Sequence, residues 1–292
     1  MTIAARLQGG LVPAVPVPFR GKALAADAQH VYARWMATQD IAGVAVWAHT
    51  GRGPRLSADE RRVVLQTWRA ALPNRLVIAG ASNLEMAKQA KTGGADALLA
   101  FPQAKDPAGW HQALGAELPV IAFYLYEEAG GVAYSDAALH AILALPEVIG
   151  IKVATLDSVM TFQRIVALTQ DHPGKLVITG EDRFLGYSLM LGAQSALVGM
   201  GAALTDLQCA LLRAHAAGDG ADFLQLSNLL DRFSQQTFIP PMEGYIQRML
   251  WAMVAEGVLS ADASDDPWGP SLPQSQRDAV VQAVHDARAA RR

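Results

Sequence analysis

Residues 148–154 read Val-Ile-Gly-Ile-Lys-Val-Ala, a short and almost wholly apolar run that is typical of a strand buried on both faces. Runs of the same kind recur through the first two-thirds of the 292-residue chain. The eight runs are residues 11–17, 43–48, 76–81, 97–101, 120–126, 148–153, 176–179 and 196–200. Strands of this kind need helices on their outer face, so the pattern predicts an α/β protein.

Most of the segments between these runs carry an amphipathic helical pattern. Ser57 opens one of them with Glu60 three residues later, the spacing of a capping box, and Asn83 is predicted to cap the next helix. Eight alternations of strand and helix predict a closed (β/α)8 TIM barrel. An open doubly wound sheet is the alternative, but it calls for a glycine-rich phosphate loop after an early strand, and the sequence has none.

After residue 205 the strand pattern stops and helical patterns follow one another to the end of the chain. The sequence therefore predicts two parts, a barrel at residues 1–218 and a C-terminal α-helical extension at residues 219–292. Residues 184–205 carry no charge and are long enough to suggest a membrane span. Four glycines and two polar residues interrupt that stretch, so we interpret it as a buried helix, a glycine turn and a buried strand.

Composition excludes several classes of function. The 24 basic and 27 acidic residues leave a net charge of −3, which gives no broad basic surface for nucleic acid. Cys209 is the single cysteine, so neither an internal disulfide nor a cysteine-rich zinc site is expected, and a thiol-reducing compartment fits best. Prolines interrupt the first apolar run, and we expect no signal peptide, no membrane partner and a cytoplasmic location.

Lys152 is the one lysine placed inside a predicted strand. The other five lie in polar loops or predicted helices: Lys22, Lys88, Lys91, Lys105 and Lys175. A buried ammonium is unfavourable unless it is paired or deprotonated. Lys152 is therefore either a nucleophilic amine that forms a Schiff base with a ketone, or a strand-end lysine that reaches solvent or pairs with Glu181 or Asp182.

Several segments together resemble one known family. Gly-Ile-Lys at residues 150–152 with Asp-Ser at 157–158, Ala-His-Thr-Gly-Arg at 48–52 and Gly-Glu-Asp at 180–182 are similar to motifs of the dihydrodipicolinate synthase / N-acetylneuraminate lyase family. Further segments agree in the same order, from about Gly10 to the last helix. The ordered set carries the resemblance, since no single motif is decisive.

The resemblance implies a cofactor-free class I lyase that binds a small 2-oxo acid through an imine on Lys152. It implies a (β/α)8 barrel with a helical extension and a homotetramer. The reaction is either aldol cleavage that releases pyruvate or dehydration of a deoxy-keto sugar acid. Two alternatives stay open: a non-catalytic member that binds a keto acid or acts as a regulator, and a barrel enzyme that binds phosphate at Gly199-Met-Gly201 or uses a metal.

The family's catalytic tyrosine lies on the fifth strand, which reads Pro-Val-Ile-Ala-Phe-Tyr-Leu-Tyr at residues 119–126. Counting without a gap places Phe123 at that position, whereas a shift of one residue places Tyr124 there. Tyr124 and Tyr126 are expected on one strand face and Phe123 on the other. We predict Tyr124 as the acid/base and Tyr126 as the second candidate. The alternative is that all three aromatic side chains only pack.

The loop after the second strand resembles the family's carboxylate-binding loop. Thr50 and Gly51 match the family pattern, whereas His49 replaces a hydroxyl residue and Arg52 replaces a glutamate. His49 is expected to donate to the substrate carboxylate or to relay a proton, with a packed loop histidine as the alternative. The substrate-binding residues predicted in all are His49, Thr50, Gly51, Tyr126, Gly180 and Val198.

Two acidic residues after the fifth strand narrow the expected substrate. Dihydrodipicolinate synthase has an arginine there that binds a distal carboxylate, whereas this sequence has Glu127 and Glu128. Two acids repel such a carboxylate. We therefore expect an enzyme that is not dihydrodipicolinate synthase proper and whose substrate is hydroxylated, such as a sugar-acid derivative.

Overall fold

The computed structural model describes residues 1–291 and shows a TIM barrel of eight parallel strands. The strands are β1 (Leu11–Pro13), β2 (Gly43–Val46), β3 (Leu76–Ala81), β4 (Ala97–Ala100), β5 (Val120–Leu125), β6 (Val148–Ala154), β7 (Leu176–Thr179) and β8 (Ser195–Val198). Neighbouring strands pair in chain order, and β8 pairs with β1. The barrel closes where the Val15 N–H donates to the Ala45 carbonyl at 3.1 Å, so the predicted fold is confirmed.

Helices surround the barrel and continue beyond it. Those that begin before residue 218 are α1 (Ile3–Leu7), α2 (Ala26–Ala37), α3 (Ala58–Ala71), α4 (Leu84–Thr92), α5 (Pro107–Gly115), α6 (Asp136–Leu143), α7 (Val159–Gln170), α8 (Leu185–Met190) and α9 (Thr205–Ala217). Three more follow: α10 (Gly220–Thr237), α11 (Tyr245–Ala255) and α12 (Gln274–Ala289). The division at residues 218 and 219 stays a prediction.

Local sequence signals account for several helix starts. The Ser57 hydroxyl accepts the Glu60 N–H at 3.2 Å, and the Glu60 carboxylate accepts the Ser57 N–H at 2.7 Å. This is the predicted capping box, and it starts α3. Asn83 caps α4 by accepting the Met86 N–H at 2.8 Å. Both cap predictions are confirmed.

The strands separate two apolar layers, because successive side chains of a strand point to opposite faces. On β5, Phe123 and Leu125 belong to the layer inside the barrel, whereas Tyr124 belongs to the layer between the barrel and its helices. On β6, Ala154 lies in the inner layer and Ile151 and Val153 lie in the outer one. Lys152 lies two residues before Ala154 on the same strand, so its side chain is on the same face and points into the barrel.

The structure differs from the sequence prediction in a few places. β1 ends at Pro13, four residues before the predicted end, because Pro16 and Pro18 have no N–H to extend a ladder. A short antiparallel pair, Phe19–Arg20 with Ala23–Leu24, was not predicted. The uncharged stretch at residues 184–205 forms α8 and β8 as predicted, and none of the helices described in residues 1–291 has the length and apolar character needed to cross a bilayer.

The C-terminal extension packs against the barrel, and its own segments are joined by Arg248, whose side chain is fully buried. Its guanidinium donates to the Ile239 carbonyl at 2.8 Å and to the Gln276 side chain at 2.9 Å. Further bonds reach the carbonyl oxygens of Pro240 and Pro241. These bonds hold the segment before α11 in place, and the following residues are thereby presented to the mouth of the barrel.

Candidate active site

Lys152 lies on β6 near the carboxyl end of the strand, the end at which TIM-barrel enzymes have their active sites. Its side chain is 5% exposed, and its Nζ lies 4.2 Å from the ring centroid of Phe123, its register partner on β5. No hydrogen bond or ion pair reaches Nζ from the residues that the structure describes. The alternative in which Lys152 pairs with Glu181 or Asp182 is therefore not formed as a direct contact.

The surroundings of Lys152 act on its protonation in opposite directions. Burial disfavours the ammonium and lowers the pKa of Lys152 below that of an ordinary lysine, while the charges of Asp182 and Glu181 oppose this change. Burial in turn raises the pKa of Asp182. The burial effect prevails at Lys152, which increases the share of neutral, nucleophilic amine near neutral pH.

The two carboxylates beside Lys152 also fix the loops around it. Glu181 accepts the N–H groups of Thr155 and Leu156, each at 2.7 Å, and burial raises its pKa to about 7 although these bonds oppose the change. Asp182 accepts the Met200 N–H at 2.6 Å. Gly180 precedes them, and a β-carbon there would lie 2.5 Å from Lys152 Cε, so the lysine side chain requires glycine at this position.

A small pocket surrounds Lys152 at the mouth of the barrel. Its volume is about 20 Å³, the space of a single water molecule. A molecule larger than water can therefore enter this pocket only if the lining side chains move. The lining residues are His49, Thr50, Phe123, Leu125, Tyr126, Lys152, Ala154, Leu156, Gly180, Asp182, Gly199, Phe238 and Tyr245.

Five of the residues predicted for the site line this pocket: Lys152, His49, Thr50, Tyr126 and Gly180. Three do not: Tyr124, Gly51 and Val198. Val198 is fully buried in the outer apolar layer, and its neighbour Gly199 reaches the pocket instead. Gly51 is packed so that a β-carbon there would lie 2.9 Å from the Val15 carbonyl oxygen.

The aromatic residues of β5 are not arranged as the shifted alignment predicted. Phe123 faces the Lys152 amine, as the count without a gap had placed it. Tyr124 points outward and lies edge-to-face with Tyr134, at 6.3 Å between ring centroids. Tyr126 enters the pocket because β5 ends at Leu125 and the chain turns there. The geometry thus gives no support to Tyr124 as the acid/base.

A carboxylate from the extension organises the polar side of the pocket. Glu243 Oε1 accepts from His49 Nε2 at 2.8 Å and from the Tyr126 hydroxyl at 3.0 Å, and Oε2 accepts from Arg52 at 2.7 Å. Arg52 also donates to Asp266 at 2.7 Å. Burial alone raises the pKa of Glu243, but His49 and Arg52 outweigh it and lower the pKa to about 2, so the carboxylate stays ionised.

A second pair of residues joins the barrel to the extension beside this carboxylate. The Thr50 and Tyr245 hydroxyls lie 2.9 Å apart, and both side chains are buried. Tyr245 stacks on Phe238 with a centroid distance of 4.8 Å. Burial raises the pKa of Tyr245 above that of an ordinary phenol, so this hydroxyl stays protonated.

Sequence analysis missed the contribution of the extension. Phe238 and Tyr245 line the pocket, and Glu243 bonds to two of its residues, yet none belongs to a recognisable motif. Glu243 lies 194 residues after His49 in the chain. One available signal was Pro-Pro at 240–241, which interrupts the helical pattern just before Glu243.

A larger cavity adjoins the Lys152 pocket and shares Leu125, Tyr126 and Leu156 with it. Its volume is about 490 Å³. Its other lining residues are Tyr124, Glu127, Glu128, Ala133, Thr155, Asp157, Ser158, Thr161, Pro240 and Met242. Glu127 and Glu128 are exposed at its edge, so the cavity presents carboxylates and hydroxyls to a bound molecule.

Comparison with known proteins shows which family and which solved folds the chain resembles. The model of the dihydrodipicolinate synthetase family matches residues 7–287. The 4-hydroxy-tetrahydrodipicolinate synthase of Ruegeria pomeroyi is 28% identical over 249 residues, which cover 80% of this chain and 84% of that protein. Sequence identity to the solved structures is lower, and the similarity to them shows the fold alone.

Two solved structures illustrate that likeness. YagE of E. coli K12, a dihydrodipicolinic acid synthase family protein in complex with pyruvate, has a TM-score of 0.86 at 18% identity and covers 96% of this chain and 98% of its own. The wild-type sialic acid aldolase of Ruminococcus gnavus has a TM-score of 0.83 at 18% identity, with 97% and 99% covered.

We expect Asp182→Asn to lower the pKa of Lys152 further, by on the order of one unit, because it removes a negative charge that favours the ammonium. The titration is followed by the ¹⁵Nζ chemical shift of Lys152, assigned by comparison with Lys152→Met. Asp59→Asn, at an exposed surface position, is the control and should leave the pKa of Lys152 unchanged. A titration that moves to higher pH in Asp182→Asn would contradict this electrostatic account.

Proposed function

The chain belongs to the dihydrodipicolinate synthetase family, and on this premise we propose that it is a lyase that holds a 2-oxo acid as an imine on Lys152. One observation carries the proposal: a buried amine without an ion-pair partner lies at the carboxyl end of β6, with its pKa lowered by burial. A lysine with a purely structural role is not expected at this position, because burial of an unpaired ammonium is unfavourable. A nucleophilic lysine is expected there, because burial favours the neutral amine that attacks the ketone.

The neutral amine would attack the ketone carbon of the substrate, and loss of water with uptake of one proton from solvent would leave a protonated imine; hydrolysis later returns that proton to solvent. The imine withdraws the electron pair from the adjacent carbon. Aldol cleavage and dehydration both need a carbanion equivalent at that carbon, so one site serves either reaction. The ring of Phe123 against Nζ supports the cationic imine through its negative face.

We further propose that the turn at residues 49–51 binds the substrate carboxylate. Within residues 1–291, the backbone N–H groups of Thr50 and Gly51 donate to no protein acceptor. The Thr50 hydroxyl, paired with that of Tyr245, lies in the pocket beside them. Gly51 thereby keeps its predicted role through its backbone, although it adds no side chain to the pocket.

The larger cavity gives the proposal a substrate class. It adjoins the Lys152 pocket, and its hydroxyls and carboxylates, including Ser158, Thr161 and Glu128, suit a hydroxylated distal end without negative charge. We therefore propose a deoxy-keto sugar acid or a similar 4-hydroxy-2-oxo acid, and a reaction other than that of dihydrodipicolinate synthase proper. The homotetramer and the cytoplasmic location stay predictions from the sequence.

The proposal is tested by borohydride reduction in the presence of pyruvate. We expect a stable adduct on Lys152, identified by mass spectrometry after digestion, because reduction converts the imine into a secondary amine. Lys152→Met should give none. Lys175→Met is the matched control, since burial lowers the pKa of this lysine too but it is bonded to the carbonyl groups of Leu145 and Val148. If neither pyruvate nor any of several 2-oxo sugar acids is trapped, the proposed function is wrong.

A second candidate function is the non-catalytic member that binds a keto acid. It is favoured by one observation, since the residue that faces the Lys152 amine from β5 is Phe123, which has no proton to transfer. The two functions differ in the step after imine formation. An enzyme converts the imine of pyruvate into its enamine and exchanges the methyl protons with D₂O, which proton NMR detects, whereas a pure binding protein shows trapping without exchange.

Tyr124→Phe should leave both the trapping of pyruvate and the methyl exchange unchanged, because the Tyr124 phenol lies outside the Lys152 pocket. Tyr245→Phe is the contrast, since its hydroxyl is in the pocket and bonded to Thr50. Loss of that hydrogen bond should raise the half-saturating pyruvate concentration about tenfold, the equivalent of ~1.4 kcal/mol. Loss of exchange in Tyr124→Phe would restore the assignment made from the sequence.

The substrate class is tested in the direction of synthesis, with pyruvate and a panel of aldehydes. Neutral polyhydroxylated aldehydes should react with a higher kcat/KM than aldehydes that carry a distal carboxylate. The double variant Glu127→Gln/Glu128→Gln should reduce that preference about tenfold by removing the repulsion. Asp171→Asn, an exposed acid at the end of α7, is the control and should keep it. An unchanged preference in the double variant would show that Glu127 and Glu128 do not determine which aldehyde reacts.

A further inference from the structure

We infer that His49, held by Glu243, is the group that moves the proton in the imine-linked reaction. The inference rests on the proposed function, because it names the acid/base that a Schiff base on Lys152 needs. The sequence predicts a phenol from β5 as the acid/base and assigns to His49 either a bond to the substrate carboxylate or the relay of a proton. The structure places an imidazole of the β2 loop, bonded to a carboxylate of the extension, in the same pocket as the amine.

The other groups of the pocket are poorly suited to accept a proton. Phe123 has no titratable group, and burial raises the pKa of Tyr126 and of Tyr245 above that of an ordinary phenol. Tyr126 also donates its hydroxyl proton to Glu243. The Asp182 carboxylate favours the cationic form of Lys152, and its Oδ1 already accepts the Met200 N–H at 2.6 Å, so we assign Asp182 to the support of the cationic imine. These assignments leave His49 as the base.

The bond to Glu243 fixes the tautomer of His49. Because the Glu243 carboxylate is ionised, it can only accept, so the proton lies on His49 Nε2, 2.8 Å from Oε1. In the neutral form of the ring, the lone pair is then on Nδ1. No protein atom of residues 1–291 bonds to Nδ1, and the side chain is 16% exposed, so this nitrogen is available to a substrate.

Glu243 is a positioning residue for His49. It is itself held by Arg52, whose guanidinium also bonds to Asp266, a side chain that is 1% exposed. The carboxylate therefore occupies one place and keeps the imidazole in one orientation. When His49 takes up a proton, the carboxylate stabilises the imidazolium, which is the role of the acid in a Ser-His-Asp triad.

The proton movements balance without any further reactant. In aldol cleavage of a 4-hydroxy-2-oxo acid, His49 Nδ1 would take the proton of the C4 hydroxyl. The C3–C4 bond breaks, its electron pair enters the protonated imine, and an aldehyde leaves. The imidazolium then returns the proton to C3 of the enamine, and water releases pyruvate and the free amine of Lys152.

The test uses pyruvate alone, since the enamine of pyruvate forms by removal of a methyl proton. His49→Gln keeps a polar side chain but removes the base. We expect methyl exchange in D₂O to fall by about 10²–10⁴-fold, while borohydride still traps pyruvate on Lys152 as in the unaltered protein. His49→Ala should recover part of the exchange when imidazole is added to the solution, which a purely structural role of His49 would not allow.

Glu243→Gln tests the positioning role, because glutamine can still accept the His49 Nε2–H but carries no charge. The exchange rate should fall, and the acid limb of its pH profile should move to lower pH by on the order of one unit, because the negative charge that stabilises the imidazolium is gone. A loss of rate without movement of the acid limb would contradict the inference. If Glu243→Gln does not fold, the inference is tested by His49→Ala alone: recovery of exchange with added imidazole supports it, and no recovery contradicts it.

The outcomes separate this inference from the proposed function. Absence of trapping in the unaltered protein would contradict the imine on Lys152 itself. Normal trapping in the unaltered protein with full exchange in His49→Gln would overturn the role of His49 alone. Loss of trapping in a folded His49→Gln protein would also overturn it, because His49 would then act in imine formation and not in transfer of the proton to carbon.

Discussion

The burial of a single amine on β6 is the constraint on which the other features of the site depend. Lys152 points into the mouth of a barrel whose inner layer is largely apolar, and no partner atom in the described chain neutralises it directly. Such a placement is tolerated because the pKa of the amine is lowered by burial and because two carboxylates lie near it without contact. Gly180 leaves space for the lysine side chain, and Phe123 covers the amine.

The extension completes the site and does more than cover the barrel. Glu243 links His49, Arg52 and Tyr126, and Tyr245 meets Thr50. Charged groups on the loop after β2 are thereby satisfied by acids that lie late in the chain. Because these bonds are partly shielded from solvent, each is stronger than it would be on the open surface. Without the extension, Arg52 would lose both of its carboxylate partners, Glu243 and Asp266.

The arrangement also explains why the pocket at Lys152 is small. Aromatic side chains from β5, from the turn after it and from the extension line the pocket around Lys152 and leave a volume of about 20 Å³. A substrate must displace part of this contact, and the larger cavity next to it offers room for the displaced side chains and for the distal end of the substrate. Closure around the imine would then exclude water from the reacting carbon.

The sequence by itself determined the eight strands, the helical extension, the helix caps and the lysine that carries the proposed chemistry. Each of these follows from short-range pattern: apolar runs, capping residues and one charge inside a strand. Only the tertiary structure decided which face of β5 meets the amine and which residues of the extension reach the barrel. A shift of one residue in a strand exchanges its two faces, so Tyr124 and Phe123 are not distinguishable without the register to β6. Contacts between residues 194 positions apart, as for His49 and Glu243, depend on how the whole chain packs and leave no local signal in the sequence.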